Sequence, residues 1–143
     1  MKLYVASSWK NGAQPAVVGA LREAGHVVYD FRNPPGDAGF AWRDLGVEAG
    51  HTEIGPFREA LRHPDAVRGA RADFRGIEES EACVLLLPCG RSAHLEAGVF
   101  IGSGRPVYVL SYEPFTPELV YYHARALCST VAELVQALGG SNA

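Results

Sequence analysis

Cysteine, histidine pairs and positive charge are all in short supply in this 143-residue chain, and each shortage excludes something. Cys83, Cys89 and Cys128 are odd in number and lack the paired spacing of a metal site, so reduced thiols are expected rather than a disulfide framework. The five histidines are dispersed, and no pair has the helical spacing of a metal ligand set. Thirteen Lys and Arg against sixteen Asp and Glu leave a net charge of −3, which offers no field for a nucleic-acid backbone. Polymeric nucleic acid is therefore not an expected partner. Arg58, Arg62, Arg68, Arg71 and Arg75 do cluster, but in a helical stretch where a solvated face accounts for them. No apolar run reaches transmembrane length, and Lys2-Leu3-Tyr4-Val5-Ala6 is too short for a signal-peptide core. A cytoplasmic chain without a membrane partner is the expectation. No glycine-rich dinucleotide fingerprint follows the first strand and no P-loop lysine pattern occurs, so no cofactor is expected. A Ser–His–Asp order is lacking too, while Cys89 and His94 stand close enough to leave a cysteine nucleophile open.

What is present is regular alternation. Apolar residues make up 48% of the chain and charged residues 20%, ordinary for a globular protein, and the length suits a single domain over residues 1–143. Strands are predicted at 3–6, 26–30, 82–87 and 106–110, with a short apolar segment at 127–129. Helices are predicted from Pro15 to Gly25, over 55–63, 65–79 and 93–103, near 117–126, and after Thr130, whose Thr-x-x-Glu spacing is a capping box. Alternating strands and helices give an α/β fold. We expect a doubly wound parallel sheet of about five strands, flavodoxin-like in order, with helices on both faces.

The segment from Phe31 to Gly50 is longer than an ordinary βα connection, and such loops are usually binding loops. It carries Phe31, Phe40 and Trp42, rings that are costly to leave in water. Folding over the core is one use for them. Stacking on a flat ligand such as a nucleobase is the other.

Residues 85–98, LLLPCGRSAHLEAG, hold the most informative carboxylate. The buried strand ends at Pro88, Cys89-Gly90-Arg91-Ser92 turns, and a helix is predicted from Ala93 with Leu95, Val99 and Phe100 inward. Glu96 then falls in its first turn, beyond the carboxyl end of a strand, where open α/β sheets collect ligands. A capping glutamate, with Ser92 or Ala93 as the cap, fits this segment equally well. Ser7, Ser8 and Trp9 follow the first strand, and Asp30 ends the second, at the same edge.

Four segments together resemble the nucleoside 2-deoxyribosyltransferase family over nearly the whole chain. Leu3-Tyr4-Val5-Ala6-Ser7-Ser8-Trp9 resembles its opening segment. Ala72-Asp73-Phe74-Arg75-Gly76-Ile77 resembles its Asn-Asp-Leu-x-Gly-Ile segment. Ser80-Glu81-Ala82-Cys83-Val84-Leu85-Leu86 resembles the strand that follows, and His94-Leu95-Glu96-Ala97-Gly98 its glutamate element. The resemblance implies that Glu96 attacks the anomeric carbon of a deoxyribose and forms a covalent glycosyl-enzyme. It implies that Tyr4 holds the Glu96 carboxylate and that Asp73 assists the leaving base, and the position of Glu96 near a helix N-terminus is expected to keep it ionised. Trp9, Phe40 and Trp42 are candidates to stack on the base. Where some transferases carry an aspartate six residues before the nucleophile, this chain has Gly90, followed by Arg91 and Ser92. That turn suits an anion and resembles the related deoxynucleoside 5′-monophosphate N-glycosidases. The family's C-terminal polar residue, supplied by a neighbouring subunit, has no counterpart in Pro117-Glu118-Leu119-Val120-Tyr121-Tyr122.

The implied activity is cleavage of the N-glycosidic bond of 2′-deoxyribonucleosides or their 5′-monophosphates, with transfer to another nucleobase. Hydrolysis of nucleoside 5′-monophosphates and non-catalytic nucleotide binding are the alternatives. The implied partners are a nucleoside or nucleotide, a free nucleobase for transfer, and further copies of the chain in a homodimer or larger homo-oligomer.

Overall fold

Leu3, Tyr4, Val5 and Ala6 are all fully buried, as befits a strand covered on both faces. They belong to β1 (Lys2–Ala6) of a computed structural model that describes residues 1–47 and 52–140. Around β1 lie β2 (Val27–Asp30), β3 (Ala82–Leu86), β4 (Val107–Leu110) and β5 (Ala126–Cys128), in the order β2-β1-β3-β4-β5. Every pairing is parallel. The helices are α1 (Gln14–Glu23), α2 (Ile54–Leu61), α3 (Pro64–Glu79), α4 (Arg91–Gly102) and α5 (Val131–Gly139). This is the doubly wound, five-stranded arrangement expected from the sequence. None of the described helices is long and apolar enough to cross a membrane.

Alternation along each strand divides the core in two. Leu3, Val5, Val84 and Leu86 pack with Val17, Leu21, Leu134 and Leu138 of α1 and α5. Tyr4, Ala6, Cys83 and Leu85 pack with Ile77, Ala93, Ala97 and Phe100 of α3 and α4. Local signals behave as their chemistry requires. Gly25 ends α1 at φ +92°, while its N–H and that of His26 bond the carbonyls of Arg22 and Leu21, a Schellman closure. Thr130 Oγ1 accepts from Glu133 N at 3.1 Å, and Glu133 reaches back to Ser129 N at 2.7 Å.

Three expectations are corrected. The stretch 117–126 is not a helix: Leu119–His123 forms one 3₁₀ turn, and the chain then becomes the edge strand β5, which absorbs the apolar 127–128. Proline at 117 and the β-branched and aromatic residues that follow favour that outcome over a regular helix. The helix α4 starts at Arg91 with Gly90 as its N-cap, so neither Ser92 nor Ala93 caps it, and Glu96 sits in the second turn. Its inward face is Ala93, Ala97 and Phe100, whereas Leu95 is 74% exposed and Val99 39%. Apolar residues stand on several sides of α4, so its pattern did not reveal its buried side. Small alanines win because they let the backbone approach the sheet.

β1 lies between β2 and β3, and the chain leaves β1 toward β2 before returning to build β3 on the other side. The carboxyl ends of β1 and β3 are thus the switch point of the sheet, where adjoining connections diverge and a crevice opens.

Candidate active site

A cavity of about 560 Å³ occupies that crevice. Ser7 and Trp9 after β1, Asp73 of α3, and Ser92 and Glu96 of α4 reach it, together with Phe31, Phe40, Trp42 and Phe57. The long connection after β2 therefore serves as one wall over residues 31–47, its last part, 48–50, lying outside the described residues. Trp9 Nε1 donates to the Phe40 carbonyl at 3.1 Å, and Trp9 meets Phe31 edge to face at 5.4 Å. Phe40 meets Trp42 at 4.9 Å, and Trp42 meets Phe57 at 5.1 Å. Arg32 pins the opposite loop by donating to the carbonyls of Ser8, Trp9 and Asn11 at 2.8–3.1 Å, with its guanidinium 5.4 Å from the Trp9 ring. A Cβ on Gly69 would stand 2.6 Å from Phe40, so this glycine is what lets the aromatic wall dock on α3.

The polar side of the cavity is built around two carboxyls. Burial raises the Glu96 pKa to about 7, the charge of Asp73 adds to the rise, and the Tyr4 hydroxyl opposes it. The expected protection by the helix N-terminus is thereby overturned, because a second-turn position is beyond the reach of the end dipole and desolvation outweighs it. Asp73 is raised mainly by burial, with a hydrogen bond from Tyr29 acting the other way. That bond, Tyr29 Oη to Asp73 Oδ1, is 2.8 Å long. Tyr4 lies beneath, stacked on Tyr29 at 5.2 Å with rings 8° apart. Burial and the nearby carboxylates Glu96 and Asp73 push its phenol far above the ordinary range. The Tyr4 hydroxyl is buried beside Glu96, close enough to lower the pKa of that carboxyl although it completes no hydrogen bond of ordinary geometry.

The remaining sequence candidates divide by position. Ser7, Trp9, Phe40, Trp42, Ser92, Asp73 and Glu96 line the one cavity; Ser8 does not. Arg91 and Gly90 line a separate hollow on the other side of the α4 N-terminus, with Cys89, His94, Leu95, Glu118 and Val120. Arg91 and Ser92 hence face different spaces. Lys10 and Arg43 are the cations in the Glu96 cavity, and neither was singled out by sequence, since a lone cation in a loop carries no periodic signal. Tyr29 was missed for the same reason, being one more aromatic in a strand. Asp30, expected at this edge, is buried and engaged by Gln14 Nε2, Arg32 N and Asn33 Nδ2, so it ties the β2 end together.

The Cys89–His94 alternative loses its chemistry. His94 Nδ1 lies 2.7 Å from the Gly90 carbonyl, which only accepts, so that nitrogen carries the proton and cannot take one from Cys89 Sγ at 3.7 Å. Burial raises the Cys89 thiol to about 11, the opposite of an activated nucleophile. Among the described residues no three His, Cys, Asp or Glu side chains gather as a metal ion needs.

No protein-family model matches the chain, and no curated protein matches it in sequence. Its shape has solved counterparts. A 2-deoxyribosyltransferase from Bacillus psychrosaccharolyticus superposes with a TM-score of 0.61 at 20% identity, covering 94% of this chain and 90% of that one. A conserved protein from Enterococcus faecalis superposes at 0.60 with 16% identity, over 99% and 98% of the two chains. The CMP N-glycosidase of Clostridium botulinum superposes at 0.53 with 13% identity, over 97% and 99%. In architecture, this chain has the fold shared by a 2-deoxyribosyltransferase and a CMP N-glycosidase.

Proposed function

We propose that this protein cleaves the N-glycosidic bond of 2′-deoxyribonucleosides or their 5′-monophosphates and passes the sugar to another nucleobase. The observation that carries this reading is one cavity holding Glu96 and Asp73 on its polar side and Trp9, Phe40 and Trp42 around its rim. A flat base between aromatic rings would bring its glycosidic bond to the carboxyls. Glu96, charged, attacks the anomeric carbon as the C–N bond breaks; the electron pair stays on the base nitrogen, which takes a proton from Asp73. The acceptor nitrogen then displaces Glu96 and gives up its proton to Asp73, so the acid is restored and two inversions retain the anomeric configuration. Burial raises both carboxyls, so a charged nucleophile beside a protonated donor requires that the proton of the pair sit on Asp73 when substrate is bound.

One observation favours 5′-monophosphates as the substrate, whether the sugar phosphate then passes to another base or, in the second reading, to water. Lys10 and Ser92 share the Glu96 cavity and suit a phosphate, with Lys10 in the role first expected of Arg91, while the Ser7 hydroxyl is engaged in donating to the Leu86 carbonyl at 3.0 Å.

The test is chromatography of the purified protein with deoxynucleosides and deoxynucleoside 5′-monophosphates, with and without a free acceptor base. Release of base is expected, and a new nucleoside appears only when acceptor is present if transfer operates. Glu96→Ala should slow base release by on the order of a thousandfold. Equal rates would remove Glu96 from the chemistry, and a ligand-dependent thermal shift without turnover would make the protein a binding module.

A further inference from the structure

Tyr29 does not reach the cavity, yet three contacts hold it to a group that does. It pairs in register with Tyr4 across β2 and β1, and the two rings stack. Its other face lies on the backbone of α3 at Gly76, where an added Cβ would stand 2.7 Å from the ring. Thus clamped, its hydroxyl donates to Asp73 Oδ1, one turn before Gly76 on the same helix. Asp73 Oδ2 has no other hydrogen bond among the described residues, and Asp73 lines the cavity.

We propose that Tyr29 is a positioning residue for base release, locking Asp73 so that Oδ2 alone meets the bound base. The idea rests on the proposed glycosidic cleavage and assigns the proton path within it. Oδ1 is committed to accepting from Tyr29, so the proton that goes to the departing nitrogen travels on Oδ2. Tyr29 remains a donor throughout, because burial and the surrounding carboxylates Asp73, Asp37 and Glu96 push its phenol far above the ordinary range. The groups facing it are Tyr4 from β1, Asp73 from α3, Glu96 from α4 and Asp37 from the loop after β2.

Tyr29→Phe keeps the ring, its stack and its seat on Gly76, and removes the one donor. Base release should fall roughly tenfold in kcat with KM nearly unchanged, as expected when a catalytic group is misplaced rather than lost. In an Asp73→Asn background the same change should cost nothing more, since there is no acid left to position. Carboxyl-carbon NMR supplies a readout that needs no turnover: the Asp73 midpoint should move up in Tyr29→Phe, because a bond favouring the charged form is gone. Wild-type kcat in Tyr29→Phe, an undiminished penalty on top of Asp73→Asn, or an unmoved Asp73 midpoint would each overturn the proposal. Should the wild type release no base from any substrate, the cleavage reading falls by itself, and the proton path through Asp73 falls with it. The NMR midpoint then reports separately whether Tyr29 governs Asp73.

Discussion

Neighbouring residues of one strand, Val5 and Tyr4, look into two different proteins. Val5 faces α1 and α5, where Leu3, Leu21, Val84, Leu134 and Leu138 close a dry aliphatic layer. Tyr4 faces α3 and α4, where the layer also begins apolar but ends at the carboxyl edge in Asp73 and Glu96. The first face is assembled for stability. The second carries a buried hydroxyl without a partner and two carboxyls held partly out of water, each of which costs folding energy. A sheet covered on both sides can carry that cost because the opposite face compensates it.

The sharpest way to break the comparison is to damage the dry face. Leu21 is fully buried between α1 and the sheet. Leu21→Ala should destabilise the protein by about 3 kcal/mol, the middle of the range for an aliphatic cavity. Urea denaturation measures the loss, and the pH profile of the surviving native activity should keep its wild-type shape. A shifted acid limb would mean that the two faces are coupled through the sheet.

Next in size is a change of opposite sign on the other face. Unfolded, Glu96 loses its proton near 4.5, and folded near 7. Between those values folding takes up a proton, so stability falls as pH rises through the window, and the cost is complete above about 7. Glu96→Gln removes the charge. It should stabilise the fold by about 2 kcal/mol at pH 8 and change little at pH 4. Melting curves at both pH values test this, and equal effects at the two would place the gain elsewhere.

The same contrast explains what could be read in advance. The strands were legible as short continuous apolar runs, the parallel arrangement from their alternation with helices, and the aliphatic face from the period-3.6 pattern of α1 and α5. Glu96 and Trp9 stood out at the carboxyl edge of the sheet and Phe40 and Trp42 in an overlong loop, whereas Asp73, inside a helix, was marked only by the family resemblance; all five line one cavity. Tyr29 and Lys10 did not, because nothing in sequence says which strand tyrosine meets an aspartate 44 residues away. The split between Arg91 and Ser92 was equally hidden: adjacent residues at a helix start point about a hundred degrees apart. The start of α4 at Arg91 rather than Ala93 decided that geometry and moved Glu96 out of the first turn.

The smallest expected effect separates a core tyrosine from a working one. Tyr4 is fully buried, and its ring packs on Tyr29 and on Phe100, 5.9 Å away. Tyr4→Phe preserves that packing and deletes only the unpartnered hydroxyl. If the hydroxyl merely filled space in the core, its removal would relieve a buried donor and stability would hold or rise by about 1 kcal/mol, with no consequence for the cavity. Beside Glu96 it does more, because the phenol lowers the pKa of that carboxyl. Without it the Glu96 midpoint should climb above about 7, and the acid limb of base release should move up with it. The rate at pH 7 should then drop by a few-fold while the plateau at higher pH is largely kept. A pH profile of Tyr4→Phe beside its melting temperature reads both quantities from one preparation. An unchanged limb with unchanged stability would return Tyr4 to the dry core and leave Glu96 with Asp73 as its one polar neighbour of consequence.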